Sequence, residues 1–245
     1  LGGFHMHCRT GLDTPYMSPE YLRVVKDCVE KAKKEGMYAW LYDEDRWPSG
    51  AAGGLVTKDP AYRARYLVFC PWKQEDMPPS HQTHGSSMGH LAQQGNDVWM
   101  AAYEVTLKDG VMVSYRRLSE NEEPSEGGQA WYVYEEIAPD SGWFNDQAYL
   151  DTLNPKAVAR FIEETHEKYE EAVGEEFGKT VPAIFTDEPQ FADKTTLGFA
   201  EEKKCCILPY TDDFPDTYKA QYGEDFWDSF PEIFWELPEE KVSVA

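Results

Sequence analysis

Two apolar runs in this 245-residue chain stop abruptly on clustered acids. Residues Met37 to Tyr42 lead into Asp43, Glu44, Asp45, Arg46 and Trp47; residues Val181 to Phe185 lead, through Thr186, into Asp187, Glu188 and Pro189. Paired carboxyl groups do acid/base work when their surroundings drive their pKa values apart, one staying protonated as an acid and the other ionised as nucleophile or base. Cleavage of a glycosidic bond needs two such groups flanking one oxygen. A third run, Leu1 to His7, is followed by Arg9. His7 and Arg9 could hydrogen-bond hydroxyls or hold a carboxylate ionised, and Trp47 offers an indole face to a sugar ring. Asp187 and Glu188 are thus the candidate catalytic groups, and His7, Arg9, Asp43, Asp45, Arg46 and Trp47 the candidate substrate-binding ones. No metal and no cofactor is expected.

The elements that must position these residues can be read from the same sequence. Val181, Ala183, Ile184 and Phe185 are too few for a helix, and their unbroken apolar pattern suits a parallel strand covered on both faces. Pro189 ends regular pairing and pushes Glu188 toward extended backbone. Ser18 as cap, Pro19 at the first position, Leu22, Val25, Val29 and Ala32 at spacings of three and four, and Gly36 as stop predict a helix between the first two strands. A longer helix opens at Asn154 and Pro155, with Ala157, Val158, Phe161, Ile162, Thr165, Tyr169 and Val173 on one face; His166 within it reads as a surface or packing residue.

Between these alternating segments the rhythm changes. Tyr66 to Cys70, Val98 to Leu107, Val111 to Tyr115 and Ala130 to Ile137 read as strands, with Lys108, Asp109 and Gly110 as a hairpin turn. Turns this short require antiparallel pairing. Pro78 to Asp97 reads as a mobile loop whose His81, His84 and His90 are not expected to hold a metal. Beyond Phe185 the sequence predicts a Lys-rich linker, a short helix from Pro215 to Tyr222, and an aromatic, acidic tail.

Composition excludes some partners. With 45 acids against 23 bases, a formal charge of −22, the chain has no basic patch for nucleic acid or anionic membrane, and no apolar run approaches the ~18 residues of a membrane span. A neutral carbohydrate is compatible with that charge and with a 14% aromatic content. Five cysteines, two of them the adjacent Cys205 and Cys206, form no metal-like pattern. Free thiols are expected, and with them a cytoplasmic location.

Gly3 to His7, Tyr42 to Gly50, Leu153 to Pro155 with Thr165 to Tyr169, and Phe185 to Pro189 resemble the motifs of a group of bacterial glycoside-hydrolase-like TIM barrels related to the α-L-rhamnosidase and β-galactosidase-type families. The resemblance covers most of the strand-helix part and little of the insertion. It implies an α/β fold, a partial TIM (β/α)8-barrel with an antiparallel β insertion. Residues 1–58 would be a barrel strand-helix-strand unit, 59–140 the insertion and 141–245 a helix-strand-helix continuation of the barrel. So few strands do not close a barrel, so flanking sequence or a partner chain, such as a second copy in a homo-oligomer, is expected. By position Glu188 takes the general acid/base role. Retaining members of the broader superfamily carry Asn-Glu-Pro where this chain has Asp187, Glu188 and Pro189, a departure that bears on the contact to the sugar 2-hydroxyl. Their nucleophile lies on a later strand, which implies a nucleophile outside this chain.

Two other readings stand beside it. His5 and His7 have the His-x-His spacing of metal-dependent hydrolases, although no further strand-end His completes a ligand set. A non-catalytic carbohydrate-binding module would use the same acids to bind hydroxyls or calcium.

Overall fold

The computed structural model describes residues 2–8, 11–78, 98–191 and 194–238, together with the backbone of residues 83–86 and 89–92. In chain order the elements begin with strand β1 (Gly3–His5), helix α1 (Pro19–Glu35) and strands β2 (Tyr38–Tyr42), β3 (Arg65–Cys70), β4 (Thr83–Ser86), β5 (Gly89–Ala92), β6 (Val98–Lys108), β7 (Val111–Leu118) and β8 (Gln129–Ile137). Helices α2 (Pro155–Ile162) and α3 (Lys168–Val173), strands β9 (Ile184–Phe185) and β10 (Cys206–Tyr210), and helices α4 (Phe214–Tyr222) and α5 (Phe226–Ser229) follow. They divide into two compact units, Leu1–Ala64 with Asp140–Phe191, and Arg65–Pro139 with Ala192–Ala245.

The first unit is built on a parallel sheet of order β1-β2-β9. Its register pairs His5 with Trp40 and Tyr42 with Phe185. Helix α1 starts where Ser18 Oγ accepts a hydrogen bond from Tyr21 N at 3.2 Å and stops at Gly36, whose φ of 69° suits a residue without Cβ. Tyr21, Val25, Val29 and Ala32 form its buried stripe and pack in one core with Ala39 and Leu41 of β2. Asn154 caps α2, accepting from Lys156 N at 3.0 Å and Ala157 N at 3.4 Å. Phe161, Thr165, Tyr169 and Val173, all buried, recur strictly every fourth residue, wider than the about 3.6-residue helical period. A π-helical turn over Glu163–Glu167, between α2 and α3, takes up that drift.

The second unit is a five-stranded sheet of order β10-β3-β8-β6-β7, antiparallel throughout. Asp109 and Gly110, at φ 52° and 81°, make the tight turn between β6 and β7. One face carries Phe69, Tyr103 and Trp131, onto which the tail packs Phe226, Phe230 and Trp235; the Phe69 ring lies 4.9 Å from Trp131 and 5.2 Å from Phe230. The other face carries Ala102, Leu118, Tyr132 and Tyr134. Thr83–Ser86 and Gly89–Ala92, within the stretch read as a loop, pair as a separate two-stranded sheet.

Four expectations are corrected here. The partial TIM barrel is not found: among the described residues no sheet is closed, and the parallel sheet has three strands. The strand-helix alternation is not sustained, because after Phe191 the chain returns to the antiparallel unit, where β10 pairs with β3. The strand expected over Val181 to Phe185 with both faces covered is reduced to Ile184–Phe185, with Phe185 48% exposed; Pro182 has no N–H to give to a ladder. The thiols are not all free. The register that sets Cys206 opposite Phe69 brings Cys205 opposite Cys70, and these two form a disulfide with Cα atoms 4.3 Å apart across 135 residues of sequence. Among the described residues no helix is long and apolar enough to cross a membrane.

The disulfide gives a direct expectation. Thiol titration of the denatured, unreduced protein should count three free cysteines, Cys8, Cys28 and Cys206, rising to five after reduction. Cys70→Ser should lower unfolding free energy by about 2–4 kcal/mol, because it releases a long loop in the unfolded chain.

Candidate functional site

The acids that follow β2 are folded back by their own backbone. Glu44 is 1% exposed, and its carboxyl accepts from four amides: Asp45 N at 2.8 Å and Gly53 N at 2.6 Å on Oε1, Gly50 N at 3.0 Å and Ala52 N at 2.7 Å on Oε2. Burial pushes its pKa up to about 7, against the pull of those four N–H groups. Glu44 is therefore the organiser of the 44–53 turn and presents nothing outward.

Asp43 makes a different junction. Its side chain is fully buried and accepts from Ser49 Oγ and Thr186 Oγ1, each at 2.6 Å, and His166 Nε2 lies 3.1 Å from its Oδ2. Three segments distant in sequence, the loop after β2, the end of β9 and the π turn, thus meet on one carboxylate. Ser49 carries the contact onward, donating from its amide to Asp187 O and accepting at Oγ from Asp187 N, both at 2.8 Å. Tyr42 OH donates to Asp187 Oδ2 at 2.9 Å. Tyr149 OH donates to Ser49 O at 2.6 Å and accepts from Gln190 N at 3.0 Å, which closes the far side.

Glu188 lies at the exposed end of this lattice. Its Oε2 accepts from Trp47 Nε1 at 3.0 Å. The extended backbone expected before Pro189 is not found: Glu188 sits at φ 48°, a left-handed conformation uncommon for a residue with a side chain. The contacts fixing Asp187 and Gln190 on either side hold the turn there.

The other predicted residues fall around this centre. Asp45 Oδ2 accepts from Asn145 Nδ2 at 2.8 Å and lies 3.7 Å from Arg46 Nε. Arg46 donates to Gly142 O at 3.1 Å and Trp143 O at 3.3 Å. Asp45, Arg46 and Asn145, with Asp13 and Thr14, line a cavity of about 270 Å³. His7 stacks on Tyr42 with ring centroids 3.9 Å apart and donates from Nδ1 to Cys8 O at 2.8 Å. Arg9 and His81 lie outside the described residues, as do the side chains of His84 and His90. His5 donates from Nε2 to Leu41 O at 3.1 Å, and among the described residues no group of three or more His, Cys, Asp and Glu is placed to hold a metal ion.

The structure therefore brings together Asp43, Trp47, Asp187 and Glu188, turns Asp43 inward as a support, and sets Asp45 and Arg46 on a cavity. Sequence reasoning missed His166, Ser49, Thr186 and Tyr149. The four-residue recurrence from Phe161 to Val173 was the available signal for a π turn, a feature frequent at functional sites. Set against protein-family models, curated proteins and solved structures, the chain finds no match.

Glu44 predicts a pH dependence. Its folded pKa of about 7 lies above the ordinary carboxylate value of 4.5. The unfolded chain thus releases a proton that the folded chain keeps, and this contribution to stability is complete below the lower value and lost as pH rises through the higher one. Between about pH 5 and about pH 8 the urea midpoint of the wild type should fall more steeply than that of Glu44→Gln. Parallel pH profiles would show that the Glu44 proton is not retained on folding.

Proposed function

We propose that the first unit acts on carbohydrate, as part of a hydrolase of glycosidic bonds in which Glu188 is the general acid/base. The observation that carries this reading is the contrast among the acids. Asp43 and Glu44 are buried and saturated with donors, and Asp45 is 6% exposed, whereas Glu188 is exposed, fixed in an uncommon backbone conformation and gripped by an indole N–H. With Oε2 accepting from Trp47, a proton on Oε1 is the one available to a leaving oxygen, and the ionised form is steadied by the same N–H afterwards. Asp187 positions Glu188 through its backbone and through Tyr42. Asp45, Arg46 and the cavity beside them provide hydrogen bonds for sugar hydroxyls. The resemblance of the Phe185 to Pro189 and Tyr42 to Gly50 segments to glycoside-hydrolase-like proteins supports the same reading.

The partner carboxylate does not come from this cluster, since Asp43 and Asp187 are already engaged. We assign it to polypeptide outside this chain, a second copy included. The cytoplasmic location expected from free thiols loses its ground with the Cys70–Cys205 bond, and an oxidising compartment is the location we propose.

Azide tests this directly by standing in for the absent nucleophile. With aryl glycosides and azide, the C1–O bond breaks as a C1–N bond forms, and the aglycone leaves carrying the Glu188 proton. The purified chain should release no phenol alone, and should yield a glycosyl azide when azide is added. Glu188→Gln should cut that yield by about 10²–10⁴ for phenyl glycosides and much less for dinitrophenyl glycosides, whose leaving groups need no acid. Hydrolysis without azide that survives Glu188→Gln, or no glycosyl azide from any aryl glycoside, would contradict the assignment.

A further inference from the structure

The antiparallel unit carries a groove that the chemistry above does not use. It has a volume of about 560 Å³ and is lined by Trp72, Lys73, Glu123, Gln129, Tyr132 and Lys203, among others. A second hollow of about 200 Å³ shares Lys73 and Tyr132 with it and adds Trp99 and Tyr134. The two lie on the sheet face opposite the tail, where alternation along β8 sends Tyr132 and Tyr134 away from Trp131 and Val133. Trp99 on β6 stands opposite Tyr134 in the register, and Ala102 opposite Tyr132. The small Ala102 leaves room beside the Tyr132 ring, so the aromatic residues form a strip rather than a closed layer. Gln74 N donates to Tyr134 OH at 3.1 Å, fixing that ring.

The rim decides what such a strip would hold. Lys73 and Lys203 contribute two positive charges, Asp76 and Glu123 two negative ones, and Lys73 Nζ lies 2.8 Å from Glu123 Oε1. The larger groove is therefore locally neutral in a chain of net charge −22, while the second hollow adds Glu75, Glu120 and Glu122, the last of them paired with Arg116. An anion would meet these carboxylates, and a purely apolar molecule would strip water from the charged groups of the rim without replacing their hydrogen bonds. A neutral polyhydroxylated ligand satisfies both demands. The C–H faces of its rings lie on Trp72 and the strip of aromatic residues, and its hydroxyls exchange hydrogen bonds with the ammonium, carboxylate and amide groups of the rim. Two adjoining hollows with a shared wall suit a ligand of repeating units. We propose that this face of the antiparallel sheet is a non-catalytic binding site for a neutral oligosaccharide of two or more sugar units, separate from the Glu188 site and independent of its activity.

Calorimetry with cellohexaose, xylohexaose, laminarihexaose and mannohexaose tests the proposal. At least one of these should bind to the wild type, to Glu188→Gln and to Trp47→Ala with similar affinity, and Trp72→Ala should weaken that binding about tenfold or more, the loss expected on truncating a stacking ring. If Trp72→Ala does not fold, Gln129→Ala on the half-buried rim should produce the loss instead. No binding of any of the four at millimolar concentration would overturn the proposal. So would binding that survives both groove variants or disappears in Trp47→Ala, which would place the sugar in the first unit.

Discussion

A buried carboxylate must find enough partners or it destabilises the fold, and Asp43 finds two donors in Ser49 and Thr186 and a close imidazole in His166. Each of these partners comes from a different segment, so one carboxylate gathers the loop after β2, the end of β9 and the π turn. Everything placed at the candidate centre follows from that junction. Ser49, once held by Asp43, is positioned to bond both the amide and the carbonyl of Asp187. The next residue, Glu188, then emerges at a defined place opposite Trp47. Glu44 plays the complementary part by gathering four amides of its own turn, which keeps the 44–53 segment compact while Asp43 binds it to the rest.

The two units solve the problem of a stable frame differently. The first has a short parallel sheet with helices contributing Val25, Val29, Phe161 and Tyr169 to its core, and its buried hydroxyls are chained: Tyr169 OH donates to Tyr42 O at 2.8 Å and lies 2.8 Å from Tyr21 OH. That chain anchors the end of β2 from within, where the acids begin. The second relies on interlocked aromatic rings around Phe69 and on a covalent tie between neighbouring strands. A parallel arrangement gathers successive strand ends at one edge and so favours a convergent site. An antiparallel one offers a broad face, and that face is where the aromatic strip of the second unit lies.

Local signals in the sequence were legible wherever a single residue governs a single turn. Ser18, Gly36, Asn154 and the Asp109-Gly110 pair act through their own backbone or through neighbours two or three residues away, and each stands where its type predicts. Asp187 and Glu188 were recognisable as a strand end for the same reason. What the sequence hid were the partnerships made over long distances. Asp43 looked like a ligand-binding acid because nothing local reveals that Thr186 and His166 arrive to saturate it. His166 looked like a surface or packing residue, with nothing local to show that the π turn brings it to Asp43. Cys70 and Cys205 are made neighbours only by the return of the chain to β3. The barrel expectation failed likewise, since short strand-helix units look alike whether or not further strands close the sheet.

Asp43 holds Glu188 in place from behind, and the indole proton of Trp47 reports on it. In a proton–nitrogen spectrum with Trp47 assigned by substitution, Asp43→Asn should move the Trp47 indole resonance and speed its exchange with water, while circular dichroism shows the helices retained. A Trp47 indole resonance unchanged in position and exchange in a folded Asp43→Asn protein would mean that the Glu188 contact stands without the junction, contradicting the role of Asp43.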